Sequence, residues 1–75
     1  MSVDLNMRSL AIELEREEDG RWIAEIGDLP GTLAYGSTRE QAIARAEALA
    51  FRVLAERLEN GETVPEVDFL FAVGQ

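Results

Sequence analysis

The chain has 75 residues, of which 47% are hydrophobic and 29% are charged, a composition typical of one small folded domain. It has no cysteine and no histidine, which excludes disulfides and cysteine–zinc sites and removes the commonest general base. Its formal net charge of −8 argues against binding to nucleic-acid phosphates and favours either a basic partner or solubility alone.

The first predicted elements form a β-hairpin. Side chains alternate over residues 8–18, which predicts a strand with one buried face. The alternating residues are Leu10, Ile12 and Leu14 on one face and Glu13, Glu15 and Glu17 on the other. Asp19-Gly20 then predicts a type I′ turn, which needs positive φ at both central residues. A second strand is predicted from Arg21 to about Ile26, with Trp22 and Ala24 on its buried face.

A second turn leads into a third strand. Leu29-Pro30-Gly31-Thr32 predicts a type II turn, because proline presets φ at its second position and glycine permits positive φ at its third. A short strand follows over Thr32–Tyr35, with Leu33 and Tyr35 alternating. We expect Tyr35, like Trp22, to pack in the core rather than stack on a base. The three strands would form an antiparallel meander.

Residues 39–59 predict one long helix, of ~30 Å at 1.5 Å per residue. Two overlapping capping boxes mark its start, Ser37 with Glu40 and Thr38 with Gln41. The pattern leaves open which of the two is used.

The end of the chain completes a β-β-β-α-β order. Asn60-Gly61 predicts the helix end, Pro65 opposes its continuation, and alternation over 67–73 predicts a fourth strand. The predicted fold class is therefore α+β, an antiparallel sheet with one long helix packed on one face. The helix residues of the expected core stripe are Ala42, Ile43, Ala46, Leu49, Ala50, Val53 and Leu54. We expect Ile23 and Leu70 on the uncovered second face of the sheet.

The opposite side of the helix is also apolar. Ala44, Ala48, Phe51 and Ala55 cluster there at helical spacing. One interpretation is that alanine is simply a good helix former and needs no partner. The other is a self-association surface that makes the protein a homodimer or larger, favoured by an exposed aromatic beside small apolar neighbours.

Most of the acidic residues in the first 37 positions lie on the first hairpin. The first 37 residues hold eight acidic residues and three arginines, whereas charges balance over residues 38–60. One interpretation is a solvated strand face that resists edge-to-edge association. The other is an electrostatic patch for a basic partner, with Glu17, Glu18, Asp19, Glu25 and Asp28 as candidate contact residues.

No group of residues predicts catalysis, a metal site or a cofactor. Glu13 and Glu15 share a strand face about 6.5–7 Å apart, but no histidine or lysine assists them and EF-hand spacing is absent. We therefore expect no enzymatic activity. Nothing in the sequence matches a signal peptide or a membrane span, so the expected compartment is the cytoplasm.

An ordered series of short motifs is more informative than any one of them. Residues 19–31, with the sequence DGRWIAEIGDLPG, are followed by Gly36-Ser37-Thr38 and Glu40-Gln41-Ala42. This series resembles the N-terminal domain of the HicB family over most of the chain. The resemblance implies a β-β-β-α-β fold of the partial RNase H-like kind. Gly27 stands where the family usually has proline, and Gln41 where it often has glutamate.

The resemblance also implies a function. HicB proteins are antitoxins of type II toxin–antitoxin pairs, and they block HicA, a small basic ribonuclease that cleaves mRNA. Typical members add a C-terminal DNA-binding domain, whereas residues 1–75 are interpreted as a single HicB-like domain without direct nucleic-acid binding. The leading hypothesis is a non-catalytic binding protein for a HicA-type toxin. The alternative is a homo-oligomeric HicB-like module with another regulatory or ligand-binding role. A third hypothesis, an RNase H-related nuclease, lacks a matched set of metal-binding carboxylates.

Overall fold

The computed structural model describes residues 9–68 and 70–74, which form three short strands and two helices. In chain order the elements are β1 (Glu13–Arg16), β2 (Trp22–Glu25), β3 (Leu33–Gly36), α1 (Arg39–Glu59) and α2 (Pro65–Asp68). The strands form one antiparallel sheet in the order β1-β2-β3. The predicted α+β class, an antiparallel meander followed by one long helix, is confirmed.

The sheet has one face against α1 and one open face. Leu14 lies opposite Ala24, and Ala24 lies opposite Ala34. Residues directly opposite each other share a face of the sheet, and this row belongs to the core under α1. The next row, Glu15 with Ile23 and Tyr35, therefore points to the open side.

On β3 the small residues, not the large ones, face the helix. Leu33 and Tyr35 lie on the open face with 41% and 42% of their surface exposed, so the expectation that Tyr35 packs in the core is wrong. Trp22 does pack against the core, half-buried. The reason is how close α1 lies to β3: a Cβ added to Gly36 would be 2.9 Å from Ala42 Cα. This approach leaves no room for large side chains.

The first hairpin forms, but its turn is not type I′. Glu17 N–H donates to Arg21 O at 2.7 Å, and Gly20 N–H donates to Glu17 O at 2.9 Å. Gly20 has a φ of +90°, whereas no described non-glycine residue has a positive φ. Asp19 therefore cannot occupy a type I′ position, and the loop is a type I turn followed by a left-handed glycine. The Asp19 carboxylate favours this geometry, because its Oδ1 accepts Arg21 N–H at 3.0 Å.

The second turn has the predicted type II form. Gly31 has a φ of +87°, and Thr32 N–H donates to Leu29 O at 3.2 Å. The buried Thr32 hydroxyl lies 2.9 Å from Ile26 O and also within hydrogen-bond distance of Leu29 O. Because Leu29 is completely buried, the turn is fixed to the core by packing as well as by hydrogen bonds.

Helix α1 spans the predicted residues. Of the two candidate caps, Thr38 is the one used: its Oγ1 accepts Gln41 N–H at 3.0 Å. Gln41 Oε1 in turn accepts Ser37 N–H at 2.7 Å. After Asn60, Gly61 has a φ of +79°. The N–H of Gly61 donates to Leu58 O, and the N–H of Glu62 donates to Arg57 O. This Schellman arrangement ends the helix.

The core lies between α1 and the sheet and is rich in alanine. Its buried members are Ala24, Ile26, Leu29, Ala42, Ala46, Ala50, Leu54 and Val64. The other predicted helix positions of the stripe, Ile43, Leu49 and Val53, are half-buried at its margins.

The segment after α1 differs from the predicted strand over 67–73. Val67 and Asp68 lie in α2, residues 70–74 form no strand, and Phe69 lies outside the described residues. Proline at the first position of α2 favours a helical turn, because its φ is preset and its missing N–H is not needed there.

Leu70 was expected on the open face of the sheet, and this expectation is wrong. It lies beside α1 instead, close to Ala50 and Leu54. The reason is that Val64 is buried and Val67 packs against the core, so the chain leaves α2 along the helix side.

We predict that Gly36→Ala lowers the free energy of unfolding by about 1–3 kcal/mol, because the added methyl group meets the backbone of α1. Gly27→Ala is the matched control: a Cβ there meets nothing within 4 Å, so stability should stay the same or rise by up to about 1 kcal/mol. Urea unfolding followed by circular dichroism measures both. Equal midpoints for the two variants would contradict the close approach.

Candidate functional site

The hairpin tip, Glu17–Arg21, contains three of the five candidate contact residues. Glu18 is exposed and Glu17 is half-buried. Asp19 is exposed but already paired, because its Oδ2 lies 2.7 Å from Arg21 Nε. The tip therefore offers two free carboxylates to a partner, rather than three.

The pairing of Asp19 changes its acidity. The Arg21 backbone N–H, and then the Arg21 guanidinium, lower the pKa of Asp19 below its ordinary value of 3.8. The charged form is thus favoured in the folded chain. The resulting contribution to stability is present above pH 3.8 and is lost as the pH falls through the lowered pKa.

A second acidic group lies on the open face of the sheet. We define the open sheet face as Glu13, Glu15, Ile23, Glu25, Leu33 and Tyr35. Its three carboxylates lie on β1 and at the end of β2, beside an apolar group formed by half-buried Ile23 and the two exposed side chains of the edge strand β3. Glu13 lies directly opposite Glu25, a like-charge pair that costs stability in the free chain.

Arginines adjoin this face without neutralising it. The Arg21 guanidinium carbon lies 4.9 Å from the centre of the Tyr35 ring, a cation–π distance. Arg45 reaches from α1 to the edge of the sheet, where its Nη1 donates to Tyr35 O at 3.0 Å. Neither arginine forms an ion pair with Glu13, Glu15 or Glu25, since the one described salt bridge joins Arg21 to Asp19.

The predicted contact residues do not form one cluster. Glu17, Glu18 and Asp19 lie at the end of β2 that begins at Trp22, whereas Asp28 lies in the loop after its other end. Glu25 belongs with Glu13 and Glu15 on the open sheet face.

The predicted self-association residues do share one exposed surface. We define the helix back as Ala44, Ala48, Phe51 and Ala55, all of which are exposed. Phe51 has 63% of its surface exposed.

A groove borders the helix back on the side of β1. One wall comes from residues before β1 and after β2, namely Leu10, Ile12 and Ile26. The other comes from α1, through Ala50, Phe51 and Leu54. The groove holds about 220 Å³ and is mainly apolar.

Two carboxylates also line the groove, Glu47 of α1 and Glu66 of α2. Glu66 Oε2 is buried and has no hydrogen-bond partner among the described residues. Sequence reasoning missed both residues, because their proximity depends on how α2 folds back beside α1. The outward orientation of Leu33 and Tyr35 was missed for a similar tertiary reason.

In residues 9–68 and 70–74, no group of three or more potential ligands could hold a metal ion. Neither described helix combines the length and apolarity needed to cross a bilayer. Comparisons with protein-family models, curated proteins and solved structures found no match. A functional assignment therefore depends on the surfaces described above.

We predict that the Asp19 carboxyl titrates with a midpoint below 3.8, measured by carbon-detected NMR. Arg21→Gln should raise the midpoint only part of the way to 3.8, because the backbone N–H at residue 21 still donates. Arg52→Gln, a remote change on α1, should leave it unaltered. An unchanged midpoint in Arg21→Gln would contradict the guanidinium contribution.

Proposed function

We propose that this chain is a non-catalytic HicB-like binding protein that recognises a basic protein through the open sheet face. The observation that carries the proposal is the composition of that face, an apolar group with three unpaired carboxylates beside it. Protein–protein interfaces combine apolar area with polar groups at its margin, and this face presents both.

Electrostatics support a basic partner. The net charge of −8 attracts cations from a distance, and the local carboxylates strengthen that attraction at the open sheet face. The attraction decays over a Debye length of ~8 Å at physiological ionic strength, so it acts mainly on the rate of encounter.

The partner class comes from the family resemblance. A β-β-β-α domain is consistent with that resemblance. It implies a HicA-type toxin, a small basic ribonuclease, as the protein that is neutralised. A short basic reading frame beside this gene, with a double-stranded-RNA-binding-like pattern and one histidine, is the expected source. Its absence would argue against the antitoxin role.

We predict that co-expression of this chain restores the growth of cells that express the neighbouring basic protein. We also predict that the two proteins form a complex. Replacing the acidic residues of the open sheet face should lower the association rate several-fold at low salt and weaken its salt dependence. The triple variant is Glu13→Gln, Glu15→Gln and Glu25→Gln. Its melting temperature should stay the same or rise, because the substitutions remove like-charge repulsion.

The control variant removes the same charge elsewhere. It consists of Glu56→Gln, Glu59→Gln and Glu62→Gln, all exposed at the end of α1 or just after it. It should change the association rate less than two-fold, because exposed charged residues away from the contact contribute only ~0–1 kcal/mol each. Equal rates for the two triple variants would refute the open sheet face as the contact. A slower rate only for Glu17→Gln with Glu18→Gln would move the contact to the hairpin tip.

A homo-oligomeric module is the second candidate function. The observation that favours it is the exposed Phe51 among exposed alanines on the helix back. An apolar patch of this kind on a small domain is a common self-association surface.

We predict a dimer or larger assembly at micromolar concentration, measured by multi-angle light scattering. Phe51→Glu should shift the mass toward the 8.3 kDa monomer, whereas Leu33→Glu on the opposite side should not. A parent mass near 8.3 kDa would rule out self-association in this range. Dissociation only in Leu33→Glu would locate the contact on the open sheet face.

A further inference from the structure

The groove beside α1 combines apolar walls with an unsatisfied carboxylate. Ile12 and Ile26 approach from the sheet side, and Ala50 and Leu54 from the helix. Half-buried Glu66 also lines the groove, and its Oε2 is a buried atom without a hydrogen-bond partner among the described residues. A buried polar atom left in this state costs free energy, and a donor that reaches it after a rotation of the Glu66 side chain would recover that cost.

The size of the groove restricts what can occupy it. Its volume of about 220 Å³ is below the ~300–1,000 Å³ of small-molecule sites. One or two side chains of another protein suit it better. The apolar walls favour an aliphatic group, and the two carboxylates exclude an anion.

We propose that the groove is a second contact site for the basic partner and takes an aliphatic side chain next to an arginine; this inference rests on the proposed function. The aliphatic side chain lies against Ile12, Ala50 and Leu54. The arginine guanidinium donates to the Glu66 carboxylate, which turns toward the groove, and lies near Glu47. Arginine suits this position better than lysine, because its stem packs on apolar surface and its planar head can donate twice to a carboxylate.

The arrangement differs from the open sheet face in its basis for recognition. The open sheet face presents a row of solvated charges, which speeds encounter. The groove presents a half-buried carboxylate beside apolar walls, so a matched arginine that becomes enclosed there slows dissociation.

A capped pentapeptide, Gly-Arg-Leu-Arg-Gly, tests the site by NMR titration of the amide-labelled full chain. We expect saturable shifts at the groove amides of Ile12, Ala50 and Leu54, with a Kd of about 1 mM for so few contacts. A peptide with citrulline in place of both arginines should bind at least five-fold more weakly. So should a peptide with alanine in place of leucine.

Variants of the chain supply the second readout. Glu66→Gln should weaken binding of the arginine peptide at least five-fold, with the amide spectrum otherwise preserved. Glu62→Gln is the matched control, an exposed glutamate in the loop after α1, and should stay within two-fold of the parent. The triple variant of the open sheet face should still bind the peptide in the groove.

Three results would overturn the inference: equal binding by Glu66→Gln, equal binding of the citrulline peptide, or shifts centred on Ile23 and Tyr35. Dilution of the chain alone gives a fourth, since concentration-dependent shifts at the groove amides would mean that a second copy occupies it. None of these results refutes the proposed function, which fails instead if the open-sheet-face variant and its charge-matched control bind the partner at equal rates.

Discussion

The close approach of α1 to β3 is the constraint on which the rest of the domain depends. Any side chain at Gly36 would meet the helix backbone, and the facing helix positions include Ala42 and Ala46, both completely buried. Small side chains bring backbone near backbone but bury little apolar area for each residue. Several larger apolar side chains therefore remain at the surface. Among them are Leu33 and Tyr35 on the open sheet face and Phe51 in one wall of the groove.

Local signals predicted the elements of this fold well. The type II turn, the helix bounds and the helix end all depend on residues adjacent in sequence, above all Gly31 and Gly61. Three features were missed. The inward side of β3 is set by its distance from α1, and the segment after α2 by which element it can reach, so both depend on tertiary packing. The first turn is set locally, by the hydrogen bond that the Asp19 side chain accepts from Arg21 N–H.

The candidate surfaces were predictable only in part. The excess of acidic residues in the first hairpin is visible in the sequence, but their division between tip and open sheet face follows from the pairing of Glu13 with Glu25. The presence of Glu47 and Glu66 in one groove has no sequence signal, because the two lie on different helices. An alternating pattern identifies a strand's two faces, but it does not say which one a helix will cover.

A thin domain of this kind links binding to stability. One sheet and one helix of this length bury only ~60% of the surface of the unfolded chain. A protein on the open sheet face would supply a second layer and remove Leu33 and Tyr35 from water, which favours association by ~25 cal/mol for each Å² of apolar surface buried. Basic groups on that protein would also relieve the repulsion between Glu13 and Glu25. A ligand that binds only the folded form stabilises it by mass action, and the glutamates that weaken the free chain would become favourable once paired with such a partner. The open sheet face would then both select a basic partner, through its glutamates, and gain a second layer, over Leu33 and Tyr35.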